Sequence, residues 1–493
     1  MNKIVKSVFI ITLFNVLTRL FSLLIKIYIS RKISVEALGF YQIALSVFFL
    51  FLTIVTTGIP LVLSRKIADD KTKQSSLVSS STFLLFILGF LVCGFIFVFP
   101  NFFTYIWGQS YSLSVLFWLT PAIFFSAISS GYRGALWGNR QYFTMGLSDL
   151  IEQIARFISL AILFTTSINT ISGENIAGIT LSISCVVSSI YFIVAYYSTG
   201  GKTNLNLKYI KPILKESAPI ATMRTLSSIV AVAVSIIIPS RLVYSGLESS
   251  EAIGIFGIMT GMALPLLTIP GTLIGSIAVA IIPELSEKNK ISTKNKINTV
   301  LSTSIIISCV LIPIFFALGE PIGIWLFKNE LAGKIIKYGS LTLLPLGLAQ
   351  ISTSILNALG KETKTLQNYL ISAIFMIVAI YTLPQYIGIY SYILGIGVMN
   401  LANTILNFIN LKNYLSTSSL KSLAINIGII IPITLLTYFT FNICTKVFDI
   451  FISLILSGGL SIICLALTLY ATNQININYI FAKSSKKLKP AKT

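Results

Sequence analysis

Two arginines lie deep inside long apolar stretches of this sequence, and their chemistry suggests a binding site. Arg19 follows Thr18 and Arg224 precedes Thr225, each about a dozen residues after its apolar stretch begins. A guanidinium is permanently charged and can donate to two oxygens of one phosphate. Because charged groups in spanning helices usually face a cavity or a partner, two such arginines facing one cavity would attract a diphosphate. The alternative is that each arginine caps backbone carbonyls or pairs with an acidic side chain.

A second group of polar residues follows further along the chain. Its members are Asp149, Glu152, Gln153 and Arg156. Their spacing of three and four residues places them along one face of a helix. Glu152 and Arg156 either neutralise each other or belong to a cavity wall that contacts substrate or titrates with a coupling ion. Lys26, near the outer end of the first apolar stretch, either extends to the membrane interface or lines the same cavity.

Residue types that other kinds of chemistry require are scarce. The sequence has no histidine, and its five cysteines are widely spaced, with no Cys-x-x-Cys pair. It therefore offers no basis for a zinc, haem or iron–sulfur site, or for a Ser-His-Asp triad. No Gly-rich phosphate loop followed by lysine occurs, and loops of roughly 10–20 residues leave little room for catalysis. We predict that the protein is not an enzyme and holds no cofactor or metal.

The composition indicates what must position these groups. Of the 493 residues, 55% are apolar or aromatic and 10% are charged, whereas soluble domains are about 25% charged. A soluble fold could not hide so much apolar surface from water, but a helix of about 20 mainly apolar residues can span a membrane. We predict an all-α polytopic membrane protein with about fourteen transmembrane helices. The predicted spans are residues 8–29, 40–62, 77–99, 112–136, 145–167, 175–197, 212–238, 254–280, 299–319, 337–358, 366–384, 387–410, 423–441 and 450–471.

The distribution of basic residues predicts the orientation of these spans. With the N-terminus in the cytoplasm, 25 of the 36 Lys and Arg residues fall in cytoplasmic segments and seven in outer loops. Arg133, Arg140 and the lysine cluster of residues 483–492 belong to the cytoplasmic group. Because cytoplasmic loops carry such an excess, we expect a plasma-membrane protein with both termini in the cytoplasm. This placement accounts for the net charge of +21 without a nucleic-acid partner.

Two pairs of similar segments indicate an internal repeat. Residues 39–41 (Gly-Phe-Tyr) resemble residues 254–256 (Gly-Ile-Phe), and residues 119–121 (Leu-Thr-Pro) resemble residues 343–345 (Leu-Leu-Pro). Six predicted spans separate the copies, so both copies have the same orientation. We therefore predict two pseudo-symmetric six-helix lobes related by an axis along the membrane normal. The predicted parts are an N-terminal lobe at 1–200, a C-terminal lobe at 201–412, and two additional helices with a basic cytoplasmic tail at 413–493.

Four segments carry motifs typical of one transporter family. Residues 16–69 (beginning VLTRLFSLL) have an arginine in the first helix and a later Gly-Ile-Pro, and residues 130–157 (ending SDLIEQIARF) have the pattern Ser-x-x-x-Glu-Gln-x-x-Arg. Residues 217–226 (SAPIATMRTL) and 266–287 (LLTIPGTLIGSIAVAIIPELSE) match the start of the family's second lobe. The chain resembles the stage V sporulation protein B group, in the polysaccharide-transporter branch of the multidrug/oligosaccharidyl-lipid/polysaccharide exporter superfamily. It departs from the group's pattern after Arg133, where Gly134-Ala135 stands.

The resemblance implies a flippase that moves an undecaprenyl-diphosphate-linked saccharide, such as a peptidoglycan, polysaccharide or sporulation-related wall precursor, by alternating access. The diphosphate would be held by Arg19, Lys26, Arg156 and Arg224. The cavity wall or an ion-coupling site would be formed by Asp149, Glu152 and Gln153. We expect coupling to Na⁺, H⁺ or the membrane potential, and a functional monomer among membrane lipids. The alternative on the same fold is a cation-coupled multidrug or toxin exporter, which would favour an acid-rich cavity, whereas the deep charges here are mostly basic.

Overall fold

The computed structural model describes residues 3–107, 111–167, 170–271, 274–275, 290–414 and 417–471. These residues are almost entirely helical, and no strand occurs in those ranges. The all-α fold class predicted from the composition is confirmed. The lysine cluster at 483–492 and the end of the 266–287 motif lie outside the described residues.

The helices of the described ranges follow one another with short connections. They are α1 (Lys3–Lys32), α2 (Val35–Thr56), α3 (Gly58–Asp69), α4 (Gln74–Val98), α5 (Pro100–Trp107), α6 (Tyr111–Gly138), α7 (Tyr142–Thr166), α8 (Gly173–Ser198), α9 (Ile210–Tyr244), α10 (Ser249–Gly257), α11 (Leu264–Leu267), α12 (Lys290–Phe327), α13 (Glu330–Gly339), α14 (Leu343–Ala358), α15 (Glu362–Thr382), α16 (Pro384–Ile387), α17 (Tyr390–Leu411), α18 (Thr417–Cys444) and α19 (Ile450–Ala471). A π-helical segment, Ile258–Ala263, joins α10 to α11.

Twelve helical stretches of the described ranges are long and apolar enough to cross a membrane. Each of the fourteen predicted spans contains helix, but two are not among these twelve. α7 has the length, yet its sequence includes Asp149, Glu152 and Arg156. α18 contributes only the shorter apolar helix Gly428–Cys444. The protein is therefore a multi-pass membrane protein with twelve spans by these criteria, and about fourteen when α7 and α18 are included.

The chain divides into two compact units. The first unit comprises Met1–Pro265 with Ile377–Tyr392, and the second comprises Leu266–Met376 with Ile393–Thr493. The first unit thus contains α9 and α10 together with the first eight helices. The division into two pseudo-symmetric six-helix lobes stays a prediction.

Glycines allow α6 to approach α3 closely in the first unit. A Cβ added at Gly134 would lie 2.9 Å from the carbonyl oxygen of Pro60, and one at Gly138 would lie 2.8 Å from that of Ser64. These are backbone atoms that cannot rotate away, so a side chain at either position would push the helices apart. Small residues at helix contacts are typical of membrane proteins, where association depends on close packing.

Serine hydroxyls join α6 to α8. Ser182 Oγ donates to the carbonyl oxygen of Trp118 at 2.5 Å, and Ser189 Oγ donates to that of Phe125 at 2.8 Å. Each pair is 64 residues apart in sequence, so the two bonds link the helices at equivalent heights. α6 and α8 form the centre of the first unit and carry several residues of the site described below.

α2 packs against α9 and α10 with little space between the backbones. A Cβ added at Gly257 would lie 2.5 Å from the nitrogen of Gly39 and 2.7 Å from the carbonyl oxygen of Val35. Further along α2, the hydroxyls of Ser46 and Ser235 share a hydrogen bond of 2.7 Å. This contact fixes the position of α9, the helix that carries Arg224.

The second unit has a buried polar network of its own. Asn407 Nδ2 donates to Ser352 Oγ and to Thr353 Oγ1, both at 3.0 Å, and Asn407 Oδ1 accepts from Asn368 Nδ2 at 2.8 Å. These bonds join α14, α15 and α17. Because lipid offers no competing hydrogen bonds, buried amides of this kind hold membrane helices together.

Candidate functional site

A cavity of about 630 Å³ lies within the first unit. Its walls are formed by α1, α2, α3, α6, α7, α8 and α9, with Gly261 of the π-helical segment. Six of the seven predicted site residues line it. They are Arg19, Lys26, Glu152, Gln153, Arg156 and Arg224. Asp149 is not among the lining residues, and whether any of these groups binds substrate stays a prediction.

α1 has two different faces. The residues that line the cavity are Arg19, Ser22, Lys26 and Ile29, three or four apart. The exposed apolar residues of the opposite face include Leu13, Val16, Leu20 and Leu24. Helical periodicity therefore separates a polar, cavity-lining face from an apolar, exposed face that suits lipid.

Three cations converge at one part of the cavity. The ammonium of Lys26 experiences charge repulsion from both Arg19 and Arg156, which places the three groups near one another. Like charges held together in a partly dry space attract an anion strongly. The alternative of Lys26 extending to the interface does not describe this structure, because Lys26 lines the cavity.

The polar face of α7 holds Arg156 against α2. Arg156 Nη2 donates to the Tyr41 hydroxyl at 2.5 Å, while its Nε has no hydrogen-bond partner among the described residues. No ion pair joins Glu152 to Arg156 in the described part of the chain, although the two charges interact. Glu152 also interacts with the Ser188 hydroxyl of α8. The two residues therefore do not simply neutralise each other, and Arg156 keeps donor capacity.

Arg133 is a cavity residue that the sequence reasoning missed. Counting it with the cytoplasmic loop residues is wrong, because α6 continues to Gly138 and Arg133 lines the cavity. Arg133 Nη2 donates to Asp149 Oδ1, and the Phe192 ring lies 5.3 Å from the guanidinium carbon. The signal that could have found it is its position within the predicted span 112–136.

The charged groups of the cavity are unbalanced. Five basic side chains line it, from Arg19, Lys26, Arg133, Arg156 and Arg224, against one acidic side chain. The formal surplus is four positive charges, or three when the Asp149 carboxylate paired with Arg133 is included. Hydroxyls of Ser22, Ser126, Ser129, Ser130 and Ser188 also line the cavity. Such a set of donors suits phosphate and sugar oxygens. No group of three His, Cys, Asp or Glu side chains suited to a metal occurs in the described ranges.

Comparison with known families identifies this chain. Residues 4–289, more than half of the 493, match the family model described as polysaccharide biosynthesis protein. The chain belongs to the polysaccharide biosynthesis protein family. The matched region includes all four motif segments and every charged residue of the cavity, and the family resemblance predicted from the motifs is confirmed.

Two relatives of this family member come from Bacillus subtilis (strain 168). Stage V sporulation protein B is 23% identical over 299 residues, which cover 57% of this chain and 58% of that protein. Sporulation protein YkvU is 22% identical over 324 residues, which cover 62% of this chain and 71% of that protein. The family member therefore matches little more than half the length of stage V sporulation protein B.

Solved structures show the fold of this family member over most of its length. The structure of lipid II flippase MurJ in an inward closed conformation has a TM-score of 0.75 at 15% identity, covering 94% of this chain and 99% of that one. An inward-facing multidrug resistance MATE family transporter of the MOP superfamily has a TM-score of 0.65 at 16% identity, covering 80% and 94%. A MOP superfamily transporter from Pyrococcus furiosus, described by the reverse polarity of its binding pocket, has a TM-score of 0.62 at 16% identity, covering 83% and 94%. All three are transport proteins rather than enzymes, as predicted for this chain.

Proposed function

We propose that this protein is a flippase that moves an undecaprenyl-diphosphate-linked saccharide across the plasma membrane by alternating access. The observation that carries the proposal is the surplus of positive charge on the cavity wall. Arginine forks match the oxygens of a diphosphate, and this match is stronger in a cavity with little water. Arg19, Lys26, Arg156 and Arg224 would hold the diphosphate, and the lipid tail would stay in the bilayer.

The size and polarity of the cavity support a headgroup rather than a whole lipid. About 630 Å³ falls within the usual range for small-molecule sites. The serine hydroxyls on α1, α6 and α8 are suited to hydroxyl-rich sugars. A cation-coupled drug exporter would instead require acidic groups for its cationic substrates, and Glu152 is the only acidic side chain on the described cavity wall.

Glu152 is the proposed coupling group. It lies between the cations and interacts with the charges of Arg133 and Arg156. A carboxylate in this position can hold Arg156 for the diphosphate, or bind Na⁺ or H⁺ when the diphosphate leaves. We place both termini in the cytoplasm from the distribution of lysine and arginine, and we propose that the monomer is the working unit.

Reconstitution in vesicles tests the proposal. Purified protein would be inserted into liposomes that contain a fluorescent undecaprenyl-diphosphate disaccharide, and a membrane-impermeant quencher would report the labelled lipid in the outer leaflet. Arg19→Ala and Arg224→Ala should each slow translocation about tenfold or more, since hydrogen bonds to charged groups contribute about 1.5–3 kcal/mol. Both variants should insert into membranes normally.

Arg65→Ala is the matched control, because Arg65 is exposed on α3 and does not line the cavity. It should translocate the lipid at the wild-type rate. Normal rates for both Arg19→Ala and Arg224→Ala would overturn the proposal of a cationic cavity. Translocation of cationic drugs in place of the lipid would support the exporter instead.

A further inference from the structure

The ion pair between Arg133 and Asp149 joins α6 to α7 at the cavity wall. Arg133 lines the cavity, whereas Asp149 reaches it from the adjacent helix. The side chains remain accessible, 39% for Arg133 and 38% for Asp149. Ion pairs this accessible are only weakly stabilising, because water can solvate both charges separately. The pair can therefore exchange its partners at little cost.

Arg133 has binding capacity that Asp149 does not use. Asp149 engages Nη2, and the buried Nε has no hydrogen-bond partner among the described residues. The ring of Phe192, 5.3 Å from the guanidinium carbon, supports the group by a cation–π contact. The guanidinium is thus held near the cavity on a rigid aromatic surface, with donors left for a second acceptor.

We propose that Arg133 is a further binding group for the anionic headgroup and that Asp149 is its exchangeable counter-ion. Without ligand, Asp149 neutralises Arg133. When a diphosphate enters, its oxygens replace the carboxylate on the guanidinium, and Asp149 is released to water. The inference rests on the proposed function, because it assumes a ligand that carries phosphate.

The exchange would moderate the affinity of the cavity. Five cations around one diphosphate would bind it tightly and release it slowly, and a transporter must release its substrate. Asp149 competes for one of those cations, so its return to Arg133 favours release. Glu152 also interacts with Arg133, but it is shared with Arg156 and lines the cavity itself. Asp149 is therefore the acid that can pair with Arg133 from outside the cavity lining.

Binding measurements on the purified full-length protein test this proposal. The probes are farnesyl diphosphate, inorganic pyrophosphate and neutral farnesol, measured by titration calorimetry in detergent. Asp149→Asn removes the competing charge and keeps the side-chain shape. It should tighten binding of farnesyl diphosphate on the order of two- to fivefold, the equilibrium equivalent of one accessible ion pair. Asp149→Glu keeps the charge and should bind with affinity close to that of the wild type.

A double variant shows whether the effect acts through Arg133. Arg133→Gln should weaken diphosphate binding about tenfold through loss of a charge-assisted contact. In the Arg133→Gln background, Asp149→Asn should have no further effect on affinity. Glu330→Gln is the matched control, because it removes the carboxylate of another accessible ion pair, with Lys334 at 2.6 Å, in the second unit. It should leave binding unchanged.

The outcomes separate this inference from the proposed function. If the wild-type protein binds farnesyl diphosphate and pyrophosphate no better than farnesol, the proposed function fails. If it binds the diphosphates but Asp149→Asn weakens or does not change binding, only the exchange of partners is refuted. Tighter binding of Asp149→Asn that persists without Arg133 would also refute it. A gain for pyrophosphate equal to that for farnesyl diphosphate would assign the site to the phosphate groups, and a gain for the lipid alone would assign it to a lipid headgroup.

Discussion

A single methyl group at position 257 tests how tightly α2 and α10 hold the first unit in its present conformation. In Gly257→Ala, the new Cβ would lie 2.5 Å from the Gly39 nitrogen and 2.7 Å from the Val35 carbonyl oxygen. Both are backbone atoms, so relief requires the helices to separate. Overpacking of this kind costs about 1–3 kcal/mol, which shifts an equilibrium between packed and separated helices by roughly five- to 150-fold.

Disulfide crosslinking measures that shift. The hydroxyl oxygens of Ser46 and Ser235 are 2.7 Å apart, so the pair Ser46→Cys and Ser235→Cys reports contact between α2 and α9. The native cysteines, all free thiols, would be replaced by alanine. Gly257→Ala should slow oxidation of the engineered pair, and under alternating access it should also change the rate of lipid translocation.

Gly94→Ala provides the control for an added methyl group. Gly94 lies in α4, and a Cβ there would have no atom within 4 Å. Its crosslinking rate should equal that of the parent, since alanine favours a helix over glycine by about 1 kcal/mol and meets nothing. Equal crosslinking rates for Gly257→Ala and Gly94→Ala would refute the reasoning, because the contact of α2 with α10 would then have room for a side chain.

Three further changes have calculable effects on stability. Tyr41→Phe removes the acceptor of Arg156 Nη2 at 2.5 Å and should lower the free energy of unfolding by about 1.5–3 kcal/mol; an unchanged melting temperature would contradict this. Asn407→Ala removes three interhelical hydrogen bonds and should cost about 2 kcal/mol, at roughly 0.6 kcal/mol per bond, as measured by unfolding in mixed micelles. Glu216→Gln breaks the 2.6 Å ion pair with Lys66, whose side chains are 51% and 30% exposed, and should change stability by less than about 1 kcal/mol; a larger loss would show that this pair is desolvated.

Helical periodicity and the cost of intramembrane charge were sufficient to predict much of the candidate site. Arg19 and Lys26 are seven residues apart, two helical turns, so they had to share a face of α1. The three-and-four spacing on α7 likewise placed Glu152 and Arg156 together. Their convergence with Arg224 in one cavity required only that each charge avoid lipid.

Contacts between helices could not be read from the same patterns. Asp149 shares the helical face of Glu152, yet Arg133 of α6 draws it away from the cavity. Arg133 lies five residues before the end of α6, where a charge can equally belong to a loop, and only the packing of α6 on α3 shows that it remains inside. The partner of Arg156, the Tyr41 hydroxyl, is 115 residues away and has no charge to reveal it.

The hydrogen bonds between α6 and α8 determine which walls of the cavity can be remodelled. Ser182 and Ser189 attach α8 to α6 at two heights, and two attachments along parallel rods prevent both sliding and pivoting. Arg133 and Phe192, which belong to these two helices, therefore keep their spacing while the rest of the site changes shape. A cycle of opening must deform the side built from α1, α2 and α9, so the linked pair serves as the fixed reference frame of the machine.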